Sequence, residues 1–258
     1  MRPALLVAPF LLPLHFLGCD RQDAAPKTDS TSVSTEDSQD VTPSLEDSKE
    51  FEPQFEALRQ GRSPQLQLTA SAITPAQLVR LAELDSHLLD LLLDAGGVDD
   101  EQMELIAQLK YLVHLRIREE RISDAGLSKL ANARLAHLRI LNLPQAQVTS
   151  ASLSKLTNLP ALTQLRLGGA QLDDSAVAAI ATLPTLESLH LIGPSLTDQS
   201  LELLAQSPKL SSFYLDDCQL SDEAWKELFQ AKPGLHVHID QHHHDRDPHR
   251  HTHDSDSL

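Results

Sequence analysis

An α/β solenoid, a horseshoe of about seven strand–turn–helix units, is the fold this chain predicts. Three observations point to it. Leucines recur with a step of 24 residues: "LTQLRLGGAQLDDSAVAAIATLP" begins at Leu162, and "LESLHLIGPSLTDQSLELLAQSP" begins at Leu186, keeps the apolar positions and changes most of the rest. Each copy also changes period, from L-x-L alternation, which suits a strand with one buried face, to L-x-x-L-x-x-L, which suits a helix with one buried stripe. Aromatic residues make up only 3% of the 258, as expected of a repetitive aliphatic core. One copy cannot bury its own apolar face, whereas a stack of copies buries a continuous core.

In chain order, residues 1–18 read as a signal peptide: Arg2 is its positive end, and the apolar stretch from Ala4 to Leu17 is interrupted by Pro9, Pro13 and His15. It is too short to span a bilayer, which needs about 20 apolar residues. The stretch ends "FLGC", and Phe16, Gly18 and Cys19 resemble the lipobox of bacterial lipoproteins. That resemblance implies that Cys19 is the lipidated first residue of the mature chain; an ordinary cleaved signal peptide is the alternative. With Cys19 acylated, Cys218 would have no partner and the fold would stand on packing alone. Residues 19–50 are rich in Ser, Thr, Asp, Glu and Pro. They cannot bury enough apolar surface to offset ordering entropy and read as a disordered acidic tether. A cap helix is expected over 51–62, with Pro53 in its first turn, Phe55 and Leu58 on one face and Gly61 at its end.

The repeat domain spans 63–240. Its template is L-x-x-L-x-L-x-x-x-x-(I/V/L), a Ser, Thr or Asp, then L-x-x-L-x-x-L, with copies near Leu66 and at Leu88, Leu112, Leu138, Leu162, Leu186 and Leu210. The step from Leu112 to Leu138 is 26, so two extra residues lie near 133–137. Thr74, Asp99, Ser123, Thr149, Asp173, Thr197 and Ser221 occupy the N-cap position. Pro75 follows the first cap; Asp100, Asp124, Asp174, Asp198 and Asp222 follow others, where the helix dipole favours a carboxylate. Pro160, Pro184, Pro208 and Pro233 mark returns to the next strand, and Val237 and Ile239 complete a last one.

Over residues 66–239 this template resembles the leucine-rich repeat family, in wording such as "LTD" and L-x-x-L closest to its ribonuclease-inhibitor-like and cysteine-containing subclasses. The resemblance implies a parallel sheet lining the concave side, helices outside, and partner recognition on the sheet. The family's ninth position usually holds Asn or Cys; here it holds Ser71, Gly96, Glu120, Ala146, Ala170, Pro194 and Cys218. The family's polar ladder is therefore mostly missing, and Cys218, at the family's own Cys position, reads as a buried structural thiol.

Alternation places the third, fifth and seventh positions of each copy on the concave side. The fifth column reads Gln67, Leu92, Arg116, Asn142, Arg166, His190, Tyr214, and the seventh includes Asp94, Arg118 and Asp216. Arg116, Asn142, Arg166, His190 and Tyr214 are the candidate ligand-binding stripe, since Arg, His and Tyr are common interface anchors. Gly168, Gly169 and Gly193 are expected to leave room beside them. A solvated face with no ligand is the alternative. The net charge of −16 excludes nucleic acid as a partner. No nucleophile–base pair, carboxylate couple or phosphate-cradling glycine loop is evident, so no enzymatic activity and no required cofactor are expected.

The C-terminal stretch "HVHIDQHHHDRDPHRHTHDSDSL" holds eight of the chain's 13 histidines: His236, His238, His242, His243, His244, His249, His251 and His253. Lacking apolar periodicity, residues 241–258 are expected to be disordered, a plain polar tail, a weak, mobile binder of Zn, Ni or Cu, or, as the least favoured alternative, the holder of a defined metal site. Two functions compete. One is a membrane-tethered, extracytoplasmic module of the bacterial cell envelope that binds an unidentified protein or envelope polymer; a secreted or periplasmic location is the variant without an anchor. The other is a metal-binding or buffering lipoprotein acting through its tail.

Overall fold

The structure is a computed structural model and describes residues 45–249. The signal peptide, Cys19, residues 19–44 of the tether, His251 and His253 lie outside the described residues.

The described residues form one nine-stranded sheet in sequence order. Its strands are β1 (Gln65–Leu68), β2 (Asp90–Leu93), β3 (His114–Ile117), β4 (Ile140–Leu143), β5 (Gln164–Gly168), β6 (Ser188–Ile192), β7 (Ser212–Asp216), β8 (His236–Ile239) and β9 (His242–His243). β1 to β8 pair in parallel and β9 returns antiparallel. The helices are α1 (Leu45–Arg59), α2 (Pro75–Ala82), α3 (Gln102–Ile106), α4 (Asp124–Asn132), α5 (Ser150–Leu153), α6 (Asp174–Ala181), α7 (Gln199–Ala205) and α8 (Asp222–Ala231). Leu66, Leu91, Leu115, Leu141, Leu165, Leu189, Phe213 and Val237 pair strand to strand in register. All eight are buried in the core between sheet and helices. Each such side chain is worth about 1.5–3 kcal/mol when removed from water.

Five of the seven expected N-caps form, whereas α3 and α7 begin later, at Glu101 and Asp198 rather than at Asp99 and Thr197, without a side-chain cap bond. The Thr74 hydroxyl accepts the Gln77 N–H in a full capping box, and Ser123, Thr149, Asp173 and Ser221 each accept a first-turn N–H. The Asp that follows Asp99, Ser123, Asp173 or Thr197 does more than meet the helix dipole: it reaches into the next repeat. Asp100 accepts the Ser123 N–H at 2.8 Å, Asp124 the Thr149 N–H at 2.8 Å, Asp174 the Thr197 N–H at 2.9 Å and Asp198 the Ser221 N–H at 2.8 Å. These carboxylates join successive repeats four residues beyond the ninth position, with a break at Ser150. Cys218 is only half-buried, packed against the edge of the core.

Both ends depart from expectation. The N-terminal helix is longer than 51–62: α1 takes in 45–50, assigned above to the tether, and holds Pro53 in its interior rather than in its first turn. The added residues carry Glu50, next to the fully buried Phe51 that opens the expected span. Glu50 accepts hydrogen bonds from the backbone N–H groups of Thr69, Ala70 and Ser71 and from the Thr69 and Ser71 hydroxyls. Gln54 closes the free edge of β1, accepting the Gln67 N–H at 2.8 Å and donating to the Gln67 carbonyl at 2.7 Å.

At the other end, residues 241–249 are folded, which corrects the expectation of disorder from 241 onward. Asp240 and Gln241 adopt φ of 47° and 68° as the two central residues of the β8–β9 hairpin, the combination a type I′ turn requires. The returning chain covers the last repeat. His244 donates its N–H to the Val237 carbonyl at 2.9 Å, and its ring packs on Trp225 and Phe229. Arg246 binds both carboxylate oxygens of Asp222, the Asp with no following cap to reach. Apolar periodicity misses this segment because polar groups and rings hold it.

Candidate functional site

The predicted stripe is continuous. Leu92, Arg116, Asn142, Arg166, His190, Tyr214 and His238 are neighbours in consecutive strand pairings. Asn142, Gln164, Arg166, Ser188, His190 and Tyr214 line a hollow of about 280 Å3 in the sheet face. Gln164 and Ser188 hold the third position of their copies, which alternation places on the concave side although neither residue type marks a site.

The stripe is not uniform. Arg116 lies outside the hollow and pairs with Asp94, whose second oxygen is 3.3 Å from the Arg118 Nε. One carboxylate therefore takes up both guanidinium groups. His190 is bonded through Nε2 to Asp216 at 2.8 Å. Burial lowers the pKa of His190, the Asp216 carboxylate opposes this, and the Arg166 charge lowers it further, so the ring is neutral at pH 7. Tyr214 lies between His190 and His238, with ring centroids 5.5 and 5.1 Å away. Arg166 differs from all of these. No carboxylate among the described residues pairs with it; its Nε, like that of Arg116, is buried without a hydrogen-bond partner, and so is the Oδ1 of neighbouring Asn142. A buried polar group left unpaired costs about 1–3 kcal/mol. The pairing acids Asp94 and Asp216 belong to the seventh column, one strand away on the diagonal, a signal the sequence carried but that spacing alone does not turn into a pair.

Gly168 does not serve to leave room. A Cβ there would come 2.2 Å from the Pro144 carbonyl oxygen, so the glycine permits close approach of two strands.

A second cluster continues the stripe at its C-terminal end. His236 and His238 share one face of β8, and His243 on β9 pairs directly with His238. These three could hold a metal ion, with one nitrogen of each ring within 4.8 Å of the others. The Asp247 carboxylate, whose side chain is 0% exposed, lies 2.8 Å from His236 Nδ1 and 3.1 Å from His243 Nδ1. Burial raises the pKa of Asp247, but hydrogen bonds from the His249 N–H, the His243 ring and the Val237 N–H outweigh it and hold the group below the ordinary carboxylate value. The other tail histidines do not join the set. His242 is exposed and donates to the Asp240 carbonyl at 2.7 Å, His244 is spent on Trp225 and Phe229, and His249 lies alongside with its centroid 5.8 Å from that of His236.

Known structures share the architecture. An internalin from Listeria monocytogenes superposes with a TM-score of 0.51 at 22% identity, covering 68% of this chain and 47% of its own. The present chain thus spans about half of that internalin's length. This likeness shows the leucine-rich-repeat fold. No family model matches the chain, and no curated protein does.

Proposed function

We propose that this chain is a recognition module that binds a protein partner through the concave face of its sheet, with a carboxylate of the partner seated on Arg166. Leucine-rich-repeat solenoids present extended concave surfaces of this kind, and the fold shared with an internalin supports such a scaffold without naming a partner. The observation that carries the reading is the half-buried Arg166 guanidinium, unpaired among the described residues in a hollow lined by Asn142, His190 and Tyr214. Guanidinium groups bind carboxylates in bidentate fashion. Capture from envelope extract on the immobilised full chain, followed by affinity measurement, tests it. Arg166→Ala should weaken binding by about 30-fold or more, as truncation of a buried anchor does, and Arg116→Ala should weaken it less. Equal loss in both variants, or none, overturns the assignment.

The module is held at the outer side of a bacterial membrane by an acyl chain on Cys19, a reading supported by the "FLGC" sequence. No helix among the described residues is long and apolar enough to cross a membrane. In a host that lipidates proteins, the wild-type chain should partition into detergent and Cys19→Ser should not; identical partitioning removes the anchor.

A further inference from the structure

We infer that His236, His238 and His243 form a defined site for one divalent transition-metal ion, Zn2+ foremost, with Asp247 orienting two of the three ligands. This differs in kind from a mobile tail that samples metal through many histidines. The ligands come from a short hairpin whose geometry is set by the fold: two alternate residues of β8 share a face, and the third lies directly across on β9.

The chemistry of the donors fits. His236 Nε2 and His238 Nε2 face each other at 3.1 Å. Two neutral rings so placed can share only one proton, and a metal ion satisfies both lone pairs at once. Zinc–nitrogen bonds of about 2.0–2.1 Å place tetrahedral ligand nitrogens roughly 3.3–3.4 Å apart, so small ring rotations close the set of three. The Asp247 carboxylate is hydrogen-bonded to His243 Nδ1 at 3.1 Å and lies 2.8 Å from His236 Nδ1, a close charge contact without hydrogen-bond geometry. That arrangement puts the proton on Nδ1 and turns Nε2 toward the ion, the role a carboxylate plays behind metal-binding histidines. Asp247 is itself fixed by the Val237 N–H at 3.0 Å and the His249 N–H at 2.8 Å. His236 and His243 therefore each lie against a fixed carboxylate on the side away from the ion. Three imidazoles with a fourth position left to water make a complete set for zinc, and the chain's net charge of −16 favours a cation. Because β8 belongs to the repeat stack and β9 to the returning segment, the ion would pin residues 241–249 to the last repeat.

The test uses the full chain after chelator treatment. Zn2+ titrated by calorimetry should give one tight event of one equivalent, separate from weaker events on the remaining histidines. Co2+ in its place should give the intense visible absorption of a four- or five-coordinate site. His238→Ala and His243→Ala should each abolish the tight event with unchanged far-ultraviolet circular dichroism. Asp247→Asn should weaken it by about 10–100-fold, and the double change His251→Ala with His253→Ala should leave it intact. Zn2+ should also slow proteolysis within 241–249 in the wild type and not in His238→Ala. The proposal is overturned if no one-equivalent event occurs, if it survives His238→Ala, or if the His251/His253 pair removes it.

Discussion

At the scale of single residues, two arginines of one column have opposite relations to the fold. Arg116 is paired with Asp94, so its removal leaves a carboxylate, itself only 15% exposed, with the more exposed Arg118 as its remaining partner. Arg166 has no carboxylate partner among the described residues, and its buried Nε is unsatisfied, as that of Arg116 also is, so its removal strands no opposite charge and relieves a cost. Arg116→Ala is expected to lower stability by about 1 kcal/mol, the worth of a partly buried hydrogen-bonded charge. Arg166→Ala should leave the Tm unchanged or raise it, while reducing partner binding. Thermal melting of the two variants side by side checks this; a larger loss in Arg166→Ala would mean that its guanidinium serves the fold. Exchange of stability for activity of this kind is common where a site is built from poorly satisfied groups. His190 adds a pH dependence. Its folded pKa lies below the ordinary value of 6.5 through burial, so the stability it contributes is complete above about pH 6.5 and is lost as pH falls below that.

At the scale of elements, the repeats are joined by more than leucines. The Asp124 carboxylate accepts the Thr149 N–H at 2.8 Å, the Thr149 hydroxyl at 2.6 Å and the Ser152 hydroxyl. Burial opposes its charge, and the Ser152 and Thr149 bonds outweigh it and lower its pKa. Asp124→Ala should cost about 1–3 kcal/mol, and amide hydrogen exchange should show lost protection at the start of α5 before other helices. Uniform loss across the stack would mean that these carboxylates act only through global stability. Much of this layer was legible: the 24-residue step, the alternation in each strand and the cap residues all follow from local rules, and Ser123, Thr149, Asp173 and Ser221 cap as their position demands. The partners of Asp100, Asp124, Asp174 and Asp198 were not, because each lies one repeat away, and a helix-dipole argument accounts for the acid without needing that partner.

At the scale of the whole molecule, a stack of repeats has two open ends, and this chain closes them differently. Apolar Phe51 and Leu58 cover the first repeat, fastened by Glu50 and Gln54; the returning hairpin covers the last, fastened by Asp247 and Arg246. Burial opposes ionisation of Glu50, but the Thr69 and Ala70 N–H groups and the Thr69 and Ser71 hydroxyls outweigh it and lower its pKa to about 2. The stability Glu50 supplies is therefore complete above about pH 4.5 and is lost as pH falls toward 2. Acid unfolding is expected to begin at the N-terminal end, and Glu50→Gln should flatten that part of the profile. Tryptophan fluorescence, which reports on Trp225 in α8, should change at lower pH than exchange of the Leu66 and Leu68 amides in β1; simultaneous change would mean that the stack unfolds as one unit.

What the sequence by itself determined was everything with a fixed period: the strand–turn–helix unit, which leucines face inward, and which side chains form the concave column. Those follow because strand and helix faces are set by spacings of a few residues, and equal steps bring equivalent positions side by side. The tertiary structure alone decided how charged and polar side chains share partners across repeats. It assigned Asp94 to Arg116 and Arg118, and it left Arg166 without a carboxylate among the described residues. It also folded 241–249 back through a turn formed by Asp240 and Gln241, which carry no glycine signal for positive φ. That turn brings His243 opposite His238 and buries Asp247 behind both β8 and β9. Composition could report a histidine-rich tail, but the convergence of three rings on one point depends on a chain reversal, and only the folded backbone specifies it.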